Sequence, residues 1–212
     1  LDIPPRGALN MHGSLLPKYR GRVPVNWAII HGETETGATL HYMTAKPDNG
    51  DIVAQQAVPI LPNDTAHEVF QKVTVAAEMA LHAVLPALLA GTAPRLKQDL
   101  SRGAYFGGRK PQDGEIDWAQ NAQNIHNLVR AVAPPYPGAT TTLLGKPMRI
   151  LQTLVEQGAG DGQQGFQVRE GKAYATCGSG VLRVVRFELD GTEMDAADFA
   201  TKFGTARFEF NR

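Results

Sequence analysis

The 212-residue sequence has one cysteine, Cys177, so it can form neither an internal disulfide nor a thiolate cluster for a metal ion. So few cysteines favour a reducing compartment, and we predict a cytoplasmic protein. Residues 1–7 are proline-rich and lack the apolar segment of a signal peptide. No continuous apolar run reaches the roughly 20 residues that a membrane-spanning helix needs, so no membrane partner is expected.

Neither sign of charge is in excess, because 21 Lys and Arg residues are balanced by 21 Asp and Glu residues. Residues 1–111 carry 11 basic against 9 acidic side chains, and residues 112–212 carry 10 against 12. Neither half therefore has the basic excess that neutralises many phosphates, and no nucleic-acid partner is expected. The hydrophobic content of 42% is ordinary for a globular chain that buries a core.

The first half of the chain predicts helices and strands in mixed order. They are strand 8–12, helix 25–30, strand 36–43, strand 51–60 and helix 65–90. The last helix has the clearest signals, because Thr65 and Glu68 form a capping box and apolar residues follow at helical spacing as far as Gly91. Pro86 lies inside this pattern and predicts a kink or an early break.

A change in composition divides the chain. Residues 91–115 are rich in Gly, Pro, Arg and Lys and show no periodicity, so we place a domain boundary near Pro111. Residues 1–111 are predicted to form an α/β domain, and residues 112–212 a small β-rich domain. The second domain has a helix over 121–132 and several short strands between turns, which suggests a small antiparallel barrel or sandwich.

Asn10 and His12 lie two residues apart on the first strand, so their side chains project to the same side. In an open α/β sheet they would face the carboxyl end of the strand, where ligands bind. An amide N–H donates to a developing oxyanion and an imidazole carries a proton near neutral pH, so the pair suits acyl transfer. The alternative is a hydrogen-bonded core histidine beside a turn-capping asparagine.

Asp48 begins the sequence Asp48-Asn49-Gly50, which is typical of a turn. As a turn residue it needs no further role. The functional alternative is a carboxylate that returns from this turn to His12, where it would favour the charged imidazole. Spacing along the chain leaves both interpretations open.

A polar, basic loop with Ser14, Lys18, Arg20 and Arg22 follows His12 directly. Such a loop is either solvated or holds an anionic cosubstrate through arginine forks. The chain has no Walker loop and no G-x-G-x-x-G, so a nucleotide P-loop is not supported. The other histidines show no metal-ligand spacing and are interpreted as structural or surface residues: His31, His41, His67, His82 and His126.

The run from Asn10 to Gly21, NMHGSLLPKYRG, resembles the signature of the 10-formyltetrahydrofolate-dependent formyltransferase family. Asp48-Asn49-Gly50 matches the family's distant D-x-G turn before a strand. The resemblance implies a Rossmann-like formyltransferase domain followed by an OB-like β-barrel, with 10-formyltetrahydrofolate as cosubstrate and no metal. Only nine residues precede Asn10, so we expect the N-terminal part of the family's catalytic domain to lie outside this chain.

The resemblance also assigns roles residue by residue. It implies that Asn10 stabilises the tetrahedral intermediate, that His12 is the general acid and that Asp48 supports the charged form of His12. It further implies a folate site lined by Arg22, Thr44, Ala45, Lys46, Pro47 and Asp48.

The segments HGSLLPKYRGR, GETETGATL and LVRAVAPPYPG are most similar to the family branch that formylates UDP-4-amino-4-deoxy-L-arabinose. This branch modifies lipid A and confers polymyxin resistance, so a small sugar nucleotide is the expected partner. Methionyl-tRNA formyltransferase is the alternative, which the net charge of −2 in residues 112–212 disfavours. A non-catalytic binding module is a third possibility. The exact sugar, homo-oligomerisation and fusion to a decarboxylase are left open.

Overall fold

The computed structural model describes residues 4–5, 7–158, 160 and 163–211. Its internal contacts divide the chain into two compact units. The first comprises Leu1–Ile29 and Glu33–Arg109, and the second comprises Ile30–Gly32 and Lys110–Arg212. Helices and strands occur in both units, which confirms a mixed α/β chain.

The first unit is built on a three-stranded sheet. Its elements in chain order are β1 (Leu9–His12), β2 (Arg20–Gly21), α1 (Pro24–Ile30), β3 (Glu35–Tyr42), β4 (Ile52–Pro59), α2 (Ala66–Ala90) and β5 (Tyr105–Phe106). The sheet order is β1-β3-β4, and both pairings are antiparallel. The short strands β2 and β5 form a separate parallel pair.

Helix α2 begins and ends where its capping residues predict. The Thr65 side chain accepts a hydrogen bond from the Glu68 backbone, the Glu68 side chain closes the capping box, and Gly91 takes the left-handed conformation after the last turn. The helix continues through Pro86 to Ala90, so the early break predicted there does not occur.

One face of α2 packs on the sheet and the other is exposed. Its small apolar residues, among them Val69, Val73 and Val84, face β3 and β4. Larger apolar side chains on the opposite side are exposed: Phe70, Val75, Met79, Leu81, Leu85 and Leu89. Within the described residues, α2 is the one helix whose length and composition would allow it to cross a membrane. The sequence, searched for continuous apolar runs, predicted no segment of this kind. The search did not detect α2 because a few polar residues interrupt a helix that is apolar on average.

The second unit is an antiparallel sheet with helices. Its elements are α3 (Ala122–Ala131), β6 (Ala139–Leu143), β7 (Lys146–Glu156), β8 (Gly165–Arg169), β9 (Lys172–Thr176), β10 (Val181–Leu189), β11 (Thr192–Met194), α4 (Ala196–Phe203) and β12 (Phe210–Asn211). The sheet order is β12-β6-β7-β10-β9-β8, and β11 pairs with β10.

The expected OB-like barrel is not confirmed. In the part of the chain that the structure describes, the strands form an open order rather than a closed ring. The two ends of this order approach each other only through an isolated bridge between Phe166 and Phe208, just before the two-residue strand β12.

The core of the second unit is apolar and continuous. Phe166, Phe187 and Phe199 are fully buried and meet edge to face, with ring centroids 4.8 to 6.1 Å apart. Cys177 is buried in the same cluster, and burial raises the pKa of its thiol to about 12. The thiol is therefore a packing group rather than a nucleophile.

Candidate active site

Four polar side chains, from β1 and β3, share one face of the three-stranded sheet. Asn10 and His12 lie two residues apart on β1, and the register pairs Asn10 with His41 and His12 with Thr39 on β3. Asn10 Nδ2 lies 3.3 Å from His41 Nε2. His12 and His41 are buried, with 6% and 1% of their surfaces exposed, whereas Asn10 is half-buried. The half-buried carboxamide is therefore the group of this cluster with the greatest access from outside.

Asp48 reaches this cluster from the turn between β3 and β4. Its Oδ1 atom lies 3.6 Å from His12 Nδ1 and 3.5 Å from His41 Nε2, and its Oδ2 atom accepts a hydrogen bond from the Gly21 backbone at 2.8 Å. These His–Asp distances are within ion-pair range but exceed those of a good hydrogen bond. The carboxylate is only 9% exposed, so it interacts with the two rings at reduced solvent screening.

The turn that carries Asp48 is tightly seated. Asp48 itself has a left-handed backbone with φ of 58°, which is uncommon outside glycine and best tolerated by Asp and Asn. A Cβ atom at Gly50 would lie 1.8 Å from the carbonyl oxygen of Tyr42, so only glycine fits there. The D-N-G sequence therefore satisfies the steric demands of the turn and still presents a carboxylate to the sheet.

Backbone carbonyls determine which ring nitrogens carry protons, because a carbonyl only accepts hydrogen bonds. His12 Nε2 lies 2.8 Å from the Tyr19 carbonyl oxygen, so this nitrogen is protonated. His41 Nδ1 lies 2.8 Å from the Tyr42 carbonyl oxygen and is likewise protonated. The other nitrogen of His41, Nε2, lies between Asn10 Nδ2 at 3.3 Å and Asp48 Oδ1 at 3.5 Å, so the ring links the carboxamide to the carboxylate.

The loop after His12 is held by a buried network around Thr39. Its hydroxyl donates to the Ser14 carbonyl oxygen at 2.6 Å and accepts from the Leu16 backbone and the Gln55 side chain. Ser14 in turn donates from Oγ to the Lys18 carbonyl oxygen at 2.7 Å. The backbone groups of this loop are thus satisfied although several are buried.

Tyr19 anchors the far end of the loop. Its hydroxyl donates to Glu33 Oε1 at 3.0 Å, and its ring stacks on Phe106 with centroids 5.1 Å apart. Burial, and to a smaller extent the contact with Glu33, raises the pKa of Tyr19, so the phenol stays neutral. A fixed Tyr19 in turn fixes the carbonyl that holds His12.

The residues expected to line a folate site lie on the surface beside this cluster. The Arg22 side chain is exposed, and its backbone N–H donates to the Phe106 carbonyl oxygen. The exposed segment Thr44–Pro47 leads directly into Asp48, and Thr44 donates from Oγ1 to the Lys46 carbonyl oxygen. Of the six expected positions, only Asp48 joins Asn10 and His12 in the buried cluster.

Sequence reasoning missed two residues of this region. His41 was grouped with structural or surface histidines, yet it is fully buried against Asn10 and Asp48. Its alternation with Thr39 on a predicted strand was the available signal. Gln98 lies in a segment without periodicity, and it donates to the backbone carbonyls of Asp48 and Gly50. Within the described ranges, no group of three or more His, Cys, Asp or Glu residues lies close enough to hold a metal ion.

Several solved structures with similar folds are named as formyltransferases. An N-formyltransferase from Helicobacter canadensis, in complex with folinic acid and dTDP-3-aminofucose, is 24% identical with a TM-score of 0.70, over 83% of this chain and 65% of that one. A 4-N formyltransferase from Francisella tularensis is 28% identical with a TM-score of 0.57, over 62% and 55%. A methionyl-tRNA formyltransferase from Clostridium thermocellum is 23% identical with a TM-score of 0.58, over 71% and 64%. The chain spans less than two thirds of the length of each.

Family comparisons agree with these folds. Residues 1–85, which contain Asn10, His12, His41 and Asp48, match the formyl transferase family. Residues 109–204 match the C-terminal domain of formyl transferases. The chain therefore carries the N-terminal and the C-terminal domain of the formyl transferase family.

Proposed function

We propose that the chain transfers a formyl group from 10-formyltetrahydrofolate to the amine of a sugar nucleotide, with UDP-4-amino-4-deoxy-L-arabinose as the acceptor. In this proposal residues 1–111 form the catalytic domain and residues 112–212 the C-terminal domain. The observation that carries it is the meeting of an amide, an imidazole and a carboxylate, from Asn10, His12 and Asp48, on one face of a sheet.

Asn10 is suited to stabilise the negative charge of the reaction. When the acceptor amine attacks the formyl carbon, the carbonyl oxygen becomes an oxyanion, and a prepositioned N–H lowers its energy. Asn10 Nδ2 lies 3.3 Å from His41 Nε2, which orients the carboxamide. An N–H of this amide is the donor that we assign to the oxyanion.

His12 and Asp48 are suited to move the proton that the reaction must relocate. The attacking amine loses a proton, and the nitrogen of the folate that leaves must gain one. His12 carries a proton on Nε2 opposite the Tyr19 carbonyl, and it would exchange that partner for the substrate during transfer. Asp48 Oδ1 lies 3.6 Å from Nδ1 on the other side of the ring, where the carboxylate would orient the imidazole during the transfer.

Arg22 and Thr44–Asp48 are proposed to bind the folate. The glutamate tail of a folate is anionic, and an exposed guanidinium such as that of Arg22 forms forked hydrogen bonds with carboxylates. The exposed segment Thr44–Pro47 would contact the ring system on the approach to Asp48. In this arrangement the formyl group would lie close to Asn10.

Two observations favour a sugar nucleotide over a tRNA as the acceptor. Residues 112–212 carry 10 basic and 12 acidic side chains, and a negative domain does not attract a polyanion. The Helicobacter protein, solved with dTDP-3-aminofucose, has a TM-score of 0.70 against 0.58 for the methionyl-tRNA enzyme, and the Francisella protein, whose name specifies 4-N formylation, is 28% identical. The position of the amine on the sugar is assigned on this basis and on the sequence segments shared with the 4-amino-arabinose branch.

The acceptor is tested by offering three amines side by side with 10-formyltetrahydrofolate: UDP-4-amino-4-deoxy-L-arabinose, dTDP-3-aminofucose and methionyl-tRNA. We expect the UDP sugar to give the largest kcat/KM. Preference for methionyl-tRNA would overturn the proposed acceptor while leaving formyl transfer intact.

A non-catalytic binding module is distinguished by Asn10→Ala. Removing an oxyanion donor should lower kcat roughly 100- to 1000-fold. Asn124→Ala, on the exposed side of α3, is the matched control and should retain full turnover. Full turnover in Asn10→Ala would contradict the assignment of this amide.

A further inference from the structure

We infer, on the basis of the proposed function, that Gln98 is a positioning residue for the reaction, and that residues 96–106 act as a strap that holds the Asp48 turn against the sheet. Gln98 would hold Asp48 in the one backbone conformation from which its carboxylate reaches His12. The strap is a segment that follows α2 and returns to the region between β3 and β4.

Gln98 contacts the Asp48 turn directly. Its Nε2 atom donates to the Asp48 carbonyl oxygen at 3.0 Å and to the Gly50 carbonyl oxygen at 2.6 Å. Both donors of one amide are thus used on two carbonyls of one turn, and the side chain is only 8% exposed. The opposite amide orientation would aim an oxygen at two carbonyl oxygens, so the contacts fix the orientation.

The cost of burying Gln98 indicates what the residue is for. Its Oε1 atom is buried and has no hydrogen-bond partner among the residues that the structure describes. An unpaired buried polar atom costs about 1 to 3 kcal/mol, so an apolar side chain would suit packing alone. Gln98 therefore contributes through its two donors, and both of these act on the Asp48 turn.

Arg20 ties the strap to the same turn from the other side. Its guanidinium donates to Asn49 Oδ1 at 2.8 Å and to the carbonyl oxygens of Leu100 and Gly103. The next residue, Gly21, donates its backbone N–H to Asp48 Oδ2. The turn is thus held at three consecutive residues by groups that come from the strap and from β2.

The strap is itself anchored at both ends. Leu96 exchanges two backbone hydrogen bonds with Ile52, four residues after Asp48, and β5 at the other end pairs with β2. Between them, a Cβ atom at Gly103 would lie 1.9 Å from the Pro17 carbonyl oxygen, so the strap passes in close contact with the loop after His12. A strap fixed in this way can hold a turn whose backbone is strained.

Asp48 needs such support because its left-handed backbone is not the preferred one for this residue. When the two bonds from Gln98 are lost, other turn conformations become accessible, and they move the carboxylate away from His12. The chemical groups remain present but their alignment is lost, and misalignment of about 1 Å costs up to about 100-fold in rate.

The test compares Gln98→Met with Gln71→Met, an exposed glutamine on α2. Methionine keeps the volume of glutamine and removes both donors. We expect kcat of Gln98→Met to fall about 10- to 100-fold, and KM for 10-formyltetrahydrofolate to rise by a smaller factor, because Asp48 is only the last residue of the proposed folate segment. Gln71→Met should match the unmodified protein.

A double-mutant cycle with Asp48→Asn separates positioning from general damage. If Gln98 acts through Asp48, Gln98→Met should add less than about twofold in the Asp48→Asn background. Losses that multiply in the double variant, or a kcat of Gln98→Met equal to that of the unmodified protein, would overturn the positioning role.

A measurement that does not depend on enzyme activity tests the positioning role of Gln98 independently of the proposed reaction. Hydrogen exchange of the Gly21 amide, followed by NMR, reports directly on its bond to Asp48. We expect faster exchange in Gln98→Met and unchanged exchange in Gln71→Met. Unchanged exchange in both would overturn the strap, whereas absence of formyl transfer in the unmodified protein would contradict only the proposed reaction.

Discussion

The interiors of the two units differ in what they bury. In the second unit, twenty buried residues form one apolar cluster, which includes Phe166, Phe187 and Phe199. The first unit also buries apolar side chains, among them Leu40, Val53 and Val69, and those of β3, β4 and α2 pack on one face of its sheet. The opposite face of that sheet carries polar groups instead. The second interior is therefore stabilised mainly by burial of apolar surface, whereas the first adds a buried polar cluster that depends on individual hydrogen bonds.

This difference shows what each unit can tolerate. An apolar core is held by many similar contacts. Removing one side chain therefore lowers the free energy of unfolding but leaves no particular group unpaired. A buried polar cluster depends on specific partners, and moving one of them leaves another unsatisfied. We expect changes in the polar cluster to affect the reaction more than folding, and changes in the apolar core to do the reverse.

The largest expected effect is on turnover in His12→Ala. Loss of a positioned general acid should lower kcat about 100- to 10,000-fold, while affinity for folinic acid stays near that of the unmodified protein, because the assigned folate residues are Arg22 and Thr44–Asp48. Steady-state kinetics and calorimetric binding of folinic acid measure the two quantities. His82→Ala, on the exposed side of α2, is the control.

Loss of folinic acid binding in His12→Ala would show that His12 binds the cosubstrate rather than transfers a proton. The two interiors would then differ less than expected, because the polar cluster would contribute to binding of the folate and not to proton transfer.

The next effect is on stability in Phe187→Ala. Removal of this fully buried ring should reduce the free energy of unfolding of the second unit by about 3 to 5 kcal/mol. The chain has two tryptophans, so in a Trp27→Phe background the fluorescence of Trp118 reports on the second unit during urea unfolding. Phe70→Ala removes an exposed ring from α2 and should change stability little.

A fall in kcat for Phe187→Ala under conditions where the protein stays folded would break the comparison. It would mean that the apolar core contributes to the reaction as well as to stability.

The sequence predicted most of the regular elements because their signals are local. The helix over 65–90 was placed by the capping residues Thr65 and Glu68 and by Gly91, and the observed helix is Ala66–Ala90. Whether the second sheet closes into a barrel could not be predicted in this way, because closure depends on whether distant edge strands meet, and the bridge between Phe166 and Phe208 has no local signal.

The polar cluster was predictable only in part, for a physical reason. Asn10 and His12 belong together through strand periodicity, and the structure brings Asp48 to them, as the resemblance to the family implied and spacing alone left open. His41 and Gln98 join them through register and through a return of the chain about 50 residues later. Pairings of that range leave no periodic trace in a single sequence.

The smallest effect is expected from Thr39→Val, which removes one hydroxyl from the polar side of the first unit. Valine has nearly the same shape, so no cavity forms, but the Ser14 carbonyl and the Leu16 N–H lose their partner while still buried. Leaving such groups unpaired should reduce the free energy of unfolding by about 1 to 3 kcal/mol. Thr74→Val, at an exposed position of α2, is the matched control.

Hydrogen exchange locates the loss predicted for Thr39→Val, because the Leu16 amide should exchange faster than in the unmodified protein. Unchanged exchange and unchanged stability would mean that water or a shifted loop replaces the hydroxyl at no net cost. The polar side of the first unit would then be as tolerant as the apolar core of the second, and the contrast between the two interiors would have to rest on Asn10, His12 and Asp48 alone.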